Sequence, residues 1–520
     1  MLFPTIRFAI FYCLVLPASW LTMPRALRWR LFMVAASFVF YAGWDWRYTF
    51  LLAGSIVGNQ VFAIGIHRRA HDEGARRSWT IAAVAANLGV LGWYKYAGFL
   101  SESAGGLFSD LGIGWQPPIP DVVLPVGISF FTFQALSYVL DVSRRRIHPA
   151  PLLDFAVYLS FFPHLVAGPI VRAAEFLPQL HGRRDPRSVQ TSLGLWLIAG
   201  GLVKKVVVAT YLADRIVDPL FAVPAEHGGV EALVGVYAYA IQIYADFSGY
   251  TDMAIGLALL LGFRFPQNFD APYTAVSLQD FWRRWHMTLS RWLRDYLYIG
   301  LGGNRGGRRR TYRNLMLTMV LGGLWHGAAW TFVVWGALHG GGLAVERWFG
   351  ERRARRRGDP ASGEAPDLAP GAPVTDPAPA APGPGYGTVL VGAPPRAATT
   401  PAPAAVVHDV RRGRWLRRLA TFHLVCLGWV FFRAESIDDA LEVLGRIAGG
   451  QSITALNPVV VLVVVAMLAS QFVPSGTVSR LRDIYSSWSL PAQAATLAAL
   501  VVVVDALGPE GIVPFIYFQF

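Results

Sequence analysis

Leu321-Gly-Gly-Leu-Trp-His-Gly-Ala-Ala-Trp330 places one histidine, His326, inside the apolar run from Leu315 to Leu338. That run is long enough to cross a bilayer. An ionisable side chain at such depth is costly and usually faces a cavity or a partner, so His326 reads as a functional residue. Upstream, Asp280-Phe-Trp-Arg-Arg-Trp-His286 brings a second histidine to the end of a basic, aromatic segment. Two imidazoles in this setting point to proton transfer inside a membrane protein.

Working outward, the 520-residue chain is 54% hydrophobic and only 15% charged, with a mean hydropathy of +0.40. Soluble domains carry roughly 25% charged residues. Apolar runs recur near 3–21, 31–47, 48–66, 79–100, 122–140, 152–170, 190–213, 230–262, 315–348, 419–432, 456–473 and 491–508. The expected fold is an all-α polytopic integral membrane protein lying in a lipid bilayer. Glycines in the two longest runs (Gly249, Gly256, Gly336, Gly340) suggest breaks, which are tolerated at membrane depth where backbone lines a cavity. The first run, Phe3–Leu21, lacks a basic leader and a clear cleavage site and reads as a retained helix.

The net charge of +13 could suggest nucleic acid, but its distribution argues against that. Basic residues gather in short stretches between apolar runs, as in Arg25–Arg30, Arg144–Arg146, Arg305–Arg313, Arg352–Arg357 and Arg411–Arg418. That is the pattern of cytoplasmic loops, and no nucleic-acid motif accompanies it. Two cysteines, Cys13 and Cys426, each in an apolar run, argue against a disulfide framework or a structural zinc site.

Residues 358–405 are rich in Pro, Ala and Gly and hold 12 of the 34 prolines, a composition that cannot bury a core. The expected organisation is a core over 1–349, a disordered cytoplasmic linker over 350–413, and a transmembrane continuation over 414–520. Counting crossings from Arg418 places the aromatic tail, Pro514-Phe-Ile-Tyr-Phe-Gln-Phe520, on the outer side, where an interfacial anchor is the simplest role.

Three further groups bear on chemistry. Asp246, Ser248 and Asp252 fall in an apolar run, and on one ideal helix the two carboxylates point about 120° apart. They line a cavity or cap a broken helix, and both readings stay open. Arg283, Arg284 and Arg291 stand beside tryptophans, and Arg305 follows in the same basic region. They form an interfacial segment with snorkelling arginines, a cationic mouth for a phosphorylated or acidic donor, or both. Trp325, beside His326, is a further candidate for a tunnel wall. No G-x-S-x-G, G-x-x-x-x-G-K-[ST] or H-E-x-x-H pattern occurs, which removes hydrolase-elbow, P-loop and zincin readings. No resident metal or bound cofactor is expected.

Seven stretches together resemble the membrane-bound O-acyltransferase superfamily: Leu124–Tyr138, Phe162–Val171, Tyr244–Ile255, Gly262–Phe269, Asp280–His286, Leu301–Arg305 and Gly322–Trp330. Within it, the chain is similar to the bacterial branch holding the alginate O-acetyltransferase and the D-alanyl transfer protein of teichoic acids. His164 departs from the glutamine of that pattern, and the insert is a second departure. The resemblance implies a ring of about 11–12 transmembrane helices around a central tunnel, in a bacterial cytoplasmic membrane. It implies His326 as the catalytic histidine with His286 as its partner, and Tyr517 of the tail as an acyl relay. The donor is then a cytoplasmic thioester, acetyl-CoA or an acyl carrier protein. The acceptor is an envelope or secreted polysaccharide, reached through an outer serine-type acetyltransferase. D-alanyl transfer to teichoic acid is the nearest alternative, and a non-enzymatic polysaccharide transporter or scaffold is the alternative from another class.

Overall fold

The computed structural model describes residues 1, 3–120, 122–182, 185–357, 404–450 and 456–507. Among the described residues all regular structure is helical. The chain opens with α1 (Ile6–Thr22), α2 (Ala26–Ala42), α3 (Tyr48–Arg68), the 38-residue α4 (Glu73–Asp110) and α5 (Ile128–Ser143). Short helices follow, α6 (Leu152–Ser160), α7 (Phe162–Leu165) and α8 (Ala173–His181). Next come α9 (Thr191–Ala222), α10 (Gly229–Leu260), α11 (Leu278–Trp282) and α12 (Met287–Trp292). The chain then forms α13 (Arg308–His326), α14 (Trp330–Arg357) and α15 (Ala404–Arg433). It continues through α16 (Ile437–Gly449), α17 (Pro458–Ser470), α18 (Ser475–Ser486) and α19 (Leu490–Leu507).

By length and composition, α3 and α9 can each cross a membrane alone, and α17 with α18, bent by 99°, would make a third span. Helices α1, α3 and α17 expose large aliphatic and aromatic side chains such as Leu14, Leu21, Phe50, Val57 and Leu462. Outward apolar faces of this kind suit lipid rather than water. This is an integral membrane protein built of helices.

Two of the expected spans take another form. The 152–170 run is cut at Phe161, and Gly168 beyond it adopts φ +128, so it makes no single crossing. The break expected near Gly249 does not occur, because α10 is one unbroken helix of 32 residues. Its glycines serve close approach instead. A Cβ on Gly249 would come within 2.7 Å of the Gly201 carbonyl, and one on Gly256 within 2.6 Å of the Gly194 carbonyl. Small residues at matched positions let two backbones touch where side chains would hold them apart. In the 315–348 run the break falls at Gly327–Ala329, while Gly336 packs its backbone against Met319.

The flanks of the expected linker are helical, with α14 ending at Arg357 and α15 beginning at Ala404. The linker between them and the tail with Tyr517 lie outside the described residues.

Candidate active site

Helix α13 ends on His326, Gly327 turns away in an extended conformation, and α14 starts at Trp330. His326 therefore sits at the tip of a helical hairpin. Its ring packs between Trp325 (5.0 Å between centroids), Trp335 of α14 (5.2 Å) and Phe432 of α15 (5.2 Å). Trp325 in turn stacks on Phe133 of α5 at 5.1 Å and meets the His286 ring at 6.2 Å. The two histidines of the sequence reading are thus brought to one aromatic cluster with Trp325 between them. Both are buried, at 0% exposure for His286 and 3% for His326.

His286 precedes α12 in the left-handed region, with φ 42. Its Nδ1 lies 3.1 Å from the Asn268 side-chain oxygen. That oxygen also accepts from the Thr288 backbone N–H at 3.1 Å and from the Thr288 hydroxyl at 2.9 Å. A backbone N–H can only donate, which fixes this Asn268 atom as oxygen and hence the His286 proton on Nδ1. Neutral His286 then presents Nε2 as a lone pair, and Nε2 has no hydrogen-bond partner among the described residues. A ring oriented by one nitrogen and open at the other is the arrangement a general base requires.

The acidic candidates are placed differently. Asp246 pairs with Lys205 at 2.5 Å, and Asp252 with Lys204 at 2.5 Å, while Lys204 also donates to Ser248 at 3.0 Å. Both lysines lie on the π-helical stretch Val203–Ala209 of α9. The structure therefore joins the two aspartates to α9 through ion pairs and Ser248 through a hydrogen bond, rather than to the histidines. Phe247, between them on α10, is the residue that meets His286, at 4.6 Å.

Of the candidate arginines, Arg284 and Arg291 pair with carboxylates. Arg284 bonds Asp280 at 2.8 Å and Asp270 at 3.5 Å, and Arg291 bonds Glu175 of α8 at 3.1 Å. Arg283 is half-buried on the turn after α11, and Arg305 is exposed in the loop before α13. His164 is fully buried, and one ring nitrogen lies 2.8 Å from the Tyr158 carbonyl while the ring stacks on Phe265. That fits a structural replacement of an amide.

Two ionisable residues near the hairpin escaped the sequence reading. Lys95 of α4 donates to the backbone carbonyls of Trp325 and His326, at 2.7 and 2.8 Å. His339 of α14 is buried against Trp335 (4.8 Å) and Trp282 (5.3 Å), with neither ring nitrogen bonded among the described residues. The signal was present for both, since each interrupts an apolar run, the feature that singled out His326.

A sequence model of the membrane-bound O-acyltransferase family, MBOAT, matches residues 78–357, which include both histidines of the cluster. The chain belongs to the membrane-bound O-acyltransferase family. Among relatives of this acyltransferase, the probable alginate O-acetylase AlgI of Pseudomonas aeruginosa is 46% identical over 329 residues, 63% of this chain and 62% of that protein. The matched stretch thus spans less than two thirds of that relative's length. The probable AlgI of Pseudomonas putida is 35% identical over 517 residues, 94% of each chain. The peptidoglycan O-acetyltransferase of Helicobacter pylori is 35% identical over 456 residues, 81% of this chain and 74% of its own. The similarity to the Pseudomonas putida protein therefore runs along nearly the whole of both chains.

Proposed function

We propose that this acyltransferase moves an acetyl group from a cytoplasmic thioester across a bacterial cytoplasmic membrane, for O-acetylation of an envelope or secreted polysaccharide. The observation that carries the reading is the His326–Trp325–His286 cluster, in which Asn268 holds His286 with Nε2 available. His326 takes the proton of the accepting hydroxyl, with His286 orienting or assisting through its open Nε2. The hydroxyl oxygen forms the new ester bond to the thioester carbonyl carbon as the C–S bond breaks. The thiolate then leaves with the proton returned by the imidazolium. General-base assistance of this type contributes about 10²–10⁴-fold.

The donor is acetyl-CoA or an acetylated carrier protein, received at Arg283, Arg284, Arg291 and Arg305. Around the cluster the helices form a ring of about 11–12 spans with a tunnel walled in part by Trp325. Tyr517 relays the acyl group on the outer face to a serine-type transferase, which completes transfer to sugar. The relatives named for alginate and peptidoglycan O-acetylation support a polysaccharide acceptor.

The test uses a deletion strain complemented with wild type or His326→Ala. Acid released from the polymer by mild base is identified by mass. Loss of ester with persisting protein and polymer export supports the enzyme, and the released acid names the cargo, acetate or D-alanine. Persisting ester with reduced export replaces the enzymatic reading by the transport one.

A further inference from the structure

The last four carbonyls of an α-helix have no partner within the helix. For α13, which ends on the histidine, all four are accounted for. The Gly323 carbonyl accepts from the Gly327 N–H at 3.4 Å. The Leu324 carbonyl accepts from the Tyr96 hydroxyl at 2.7 Å. The Trp325 and His326 carbonyls both accept from the Lys95 ammonium, at 2.7 and 2.8 Å. Two consecutive side chains of α4 thus bind three consecutive carbonyls of the turn that carries His326. One helical turn further along α4, Phe99 packs on Trp330, the first residue of α14, at 5.6 Å.

Lys95 is half-buried, and desolvating an ammonium is costly unless acceptors meet its donors, as the two carbonyls do here. What an ammonium supplies is several donors on one long stem, together with positive charge at the negative end of the helix dipole. It reaches two carbonyls at once, including that of His326 itself. The hairpin tip beyond His326 contains Gly327 and has no helical backbone of its own to hold it.

We infer that Lys95 is a positioning residue for His326, clamping the final turn of α13 by its carbonyls so that the imidazole is presented at a fixed point in the aromatic cluster. Tyr96 is the lesser part of the same clamp. The inference rests on the proposed role of His326. A displacement of about 1 Å in a reacting group costs on the order of 10²-fold in rate, and the clamp acts on that scale.

The test uses the full chain in the deletion strain and reads the rate of ester appearance on the polymer per membrane-inserted protein. Lys95→Met lowers that rate about 10–100-fold, Lys95→Arg, which keeps charge and multiple donors, recovers it to within about 5-fold, and Tyr96→Phe costs about 2–5-fold. Wild-type rate in Lys95→Met overturns the inference, as does Lys95→Arg performing no better than Lys95→Met. If Lys95→Met fails to insert, Tyr96→Phe decides, and a wild-type rate in that variant overturns the clamp. His326→Ala runs in parallel. Retained ester in that variant removes the role of His326, whatever the Lys95 variants do.

Discussion

The α9–α10 pair and the α13–α14 hairpin solve the same packing problem and then use charge in opposite ways. Each brings two backbones together through glycines, Gly201 with Gly249 in one and Gly323 with Gly336 in the other. In α9–α10 the ionisable groups cancel, Lys204 against Asp252 and Lys205 against Asp246. In the hairpin region the titratable groups are histidines set among aromatic rings, and the cation, Lys95, is spent on backbone carbonyls. A buried opposite charge fixes geometry but removes a group from proton chemistry. An imidazole in an aromatic cage remains able to exchange a proton.

The contrast is sharpest at His326. His326→Ala should lower polymer-bound ester by about 10³-fold or more while leaving the protein in the membrane, read as base-released acid per inserted protein. The α9–α10 side should respond in stability rather than chemistry. Lys205→Met leaves Asp246 buried without its ion pair, at a cost of about 3–5 kcal/mol, and abundance should collapse. Lys205→Met combined with Asp246→Leu should restore abundance, and a fully abundant single variant would break the contrast.

Asn268 tests the orientation of His286. Asn268→Leu removes the acceptor for Nδ1–H and should cut the ester rate by about 10–100-fold, whereas Asn268→Asp, which keeps an acceptor, should lose less. Equal losses in both, at unchanged abundance, would show that the bond does not set the ring. The smallest effect is expected at the surface. Arg291→Ala breaks a partly exposed pair with Glu175, shifts stability by less than about 1 kcal/mol, and lowers the ester rate only about 2–5-fold.

The helical membrane class and both histidines were legible from the chain because each leaves a local mark, an apolar run or an ionisable residue interrupting one. The partners of Asp246, Ser248 and Asp252 were not, because Lys204 and Lys205 belong to another helix and a single sequence does not show which faces meet. Gly249 read as a break for a related reason. A glycine that admits a neighbouring backbone and one that ends a helix look alike until the neighbour is placed. Lys95 also interrupts an apolar run, 79–100, but its acceptors are backbone carbonyls with no sequence signature of their own, so its partner was not legible.

The lengths of α14 and α15 set how far their outer ends lie from His326. Helix α14 has 28 residues and α15 has 30, so each rises about 40–45 Å, more than the ~30 Å of bilayer hydrocarbon. Their ends at Arg357 and Ala404 form a splice point far along the helices from the hairpin tip. The far ends of both helices are thus separated by most of a bilayer's thickness from the aromatic rings that hold His326.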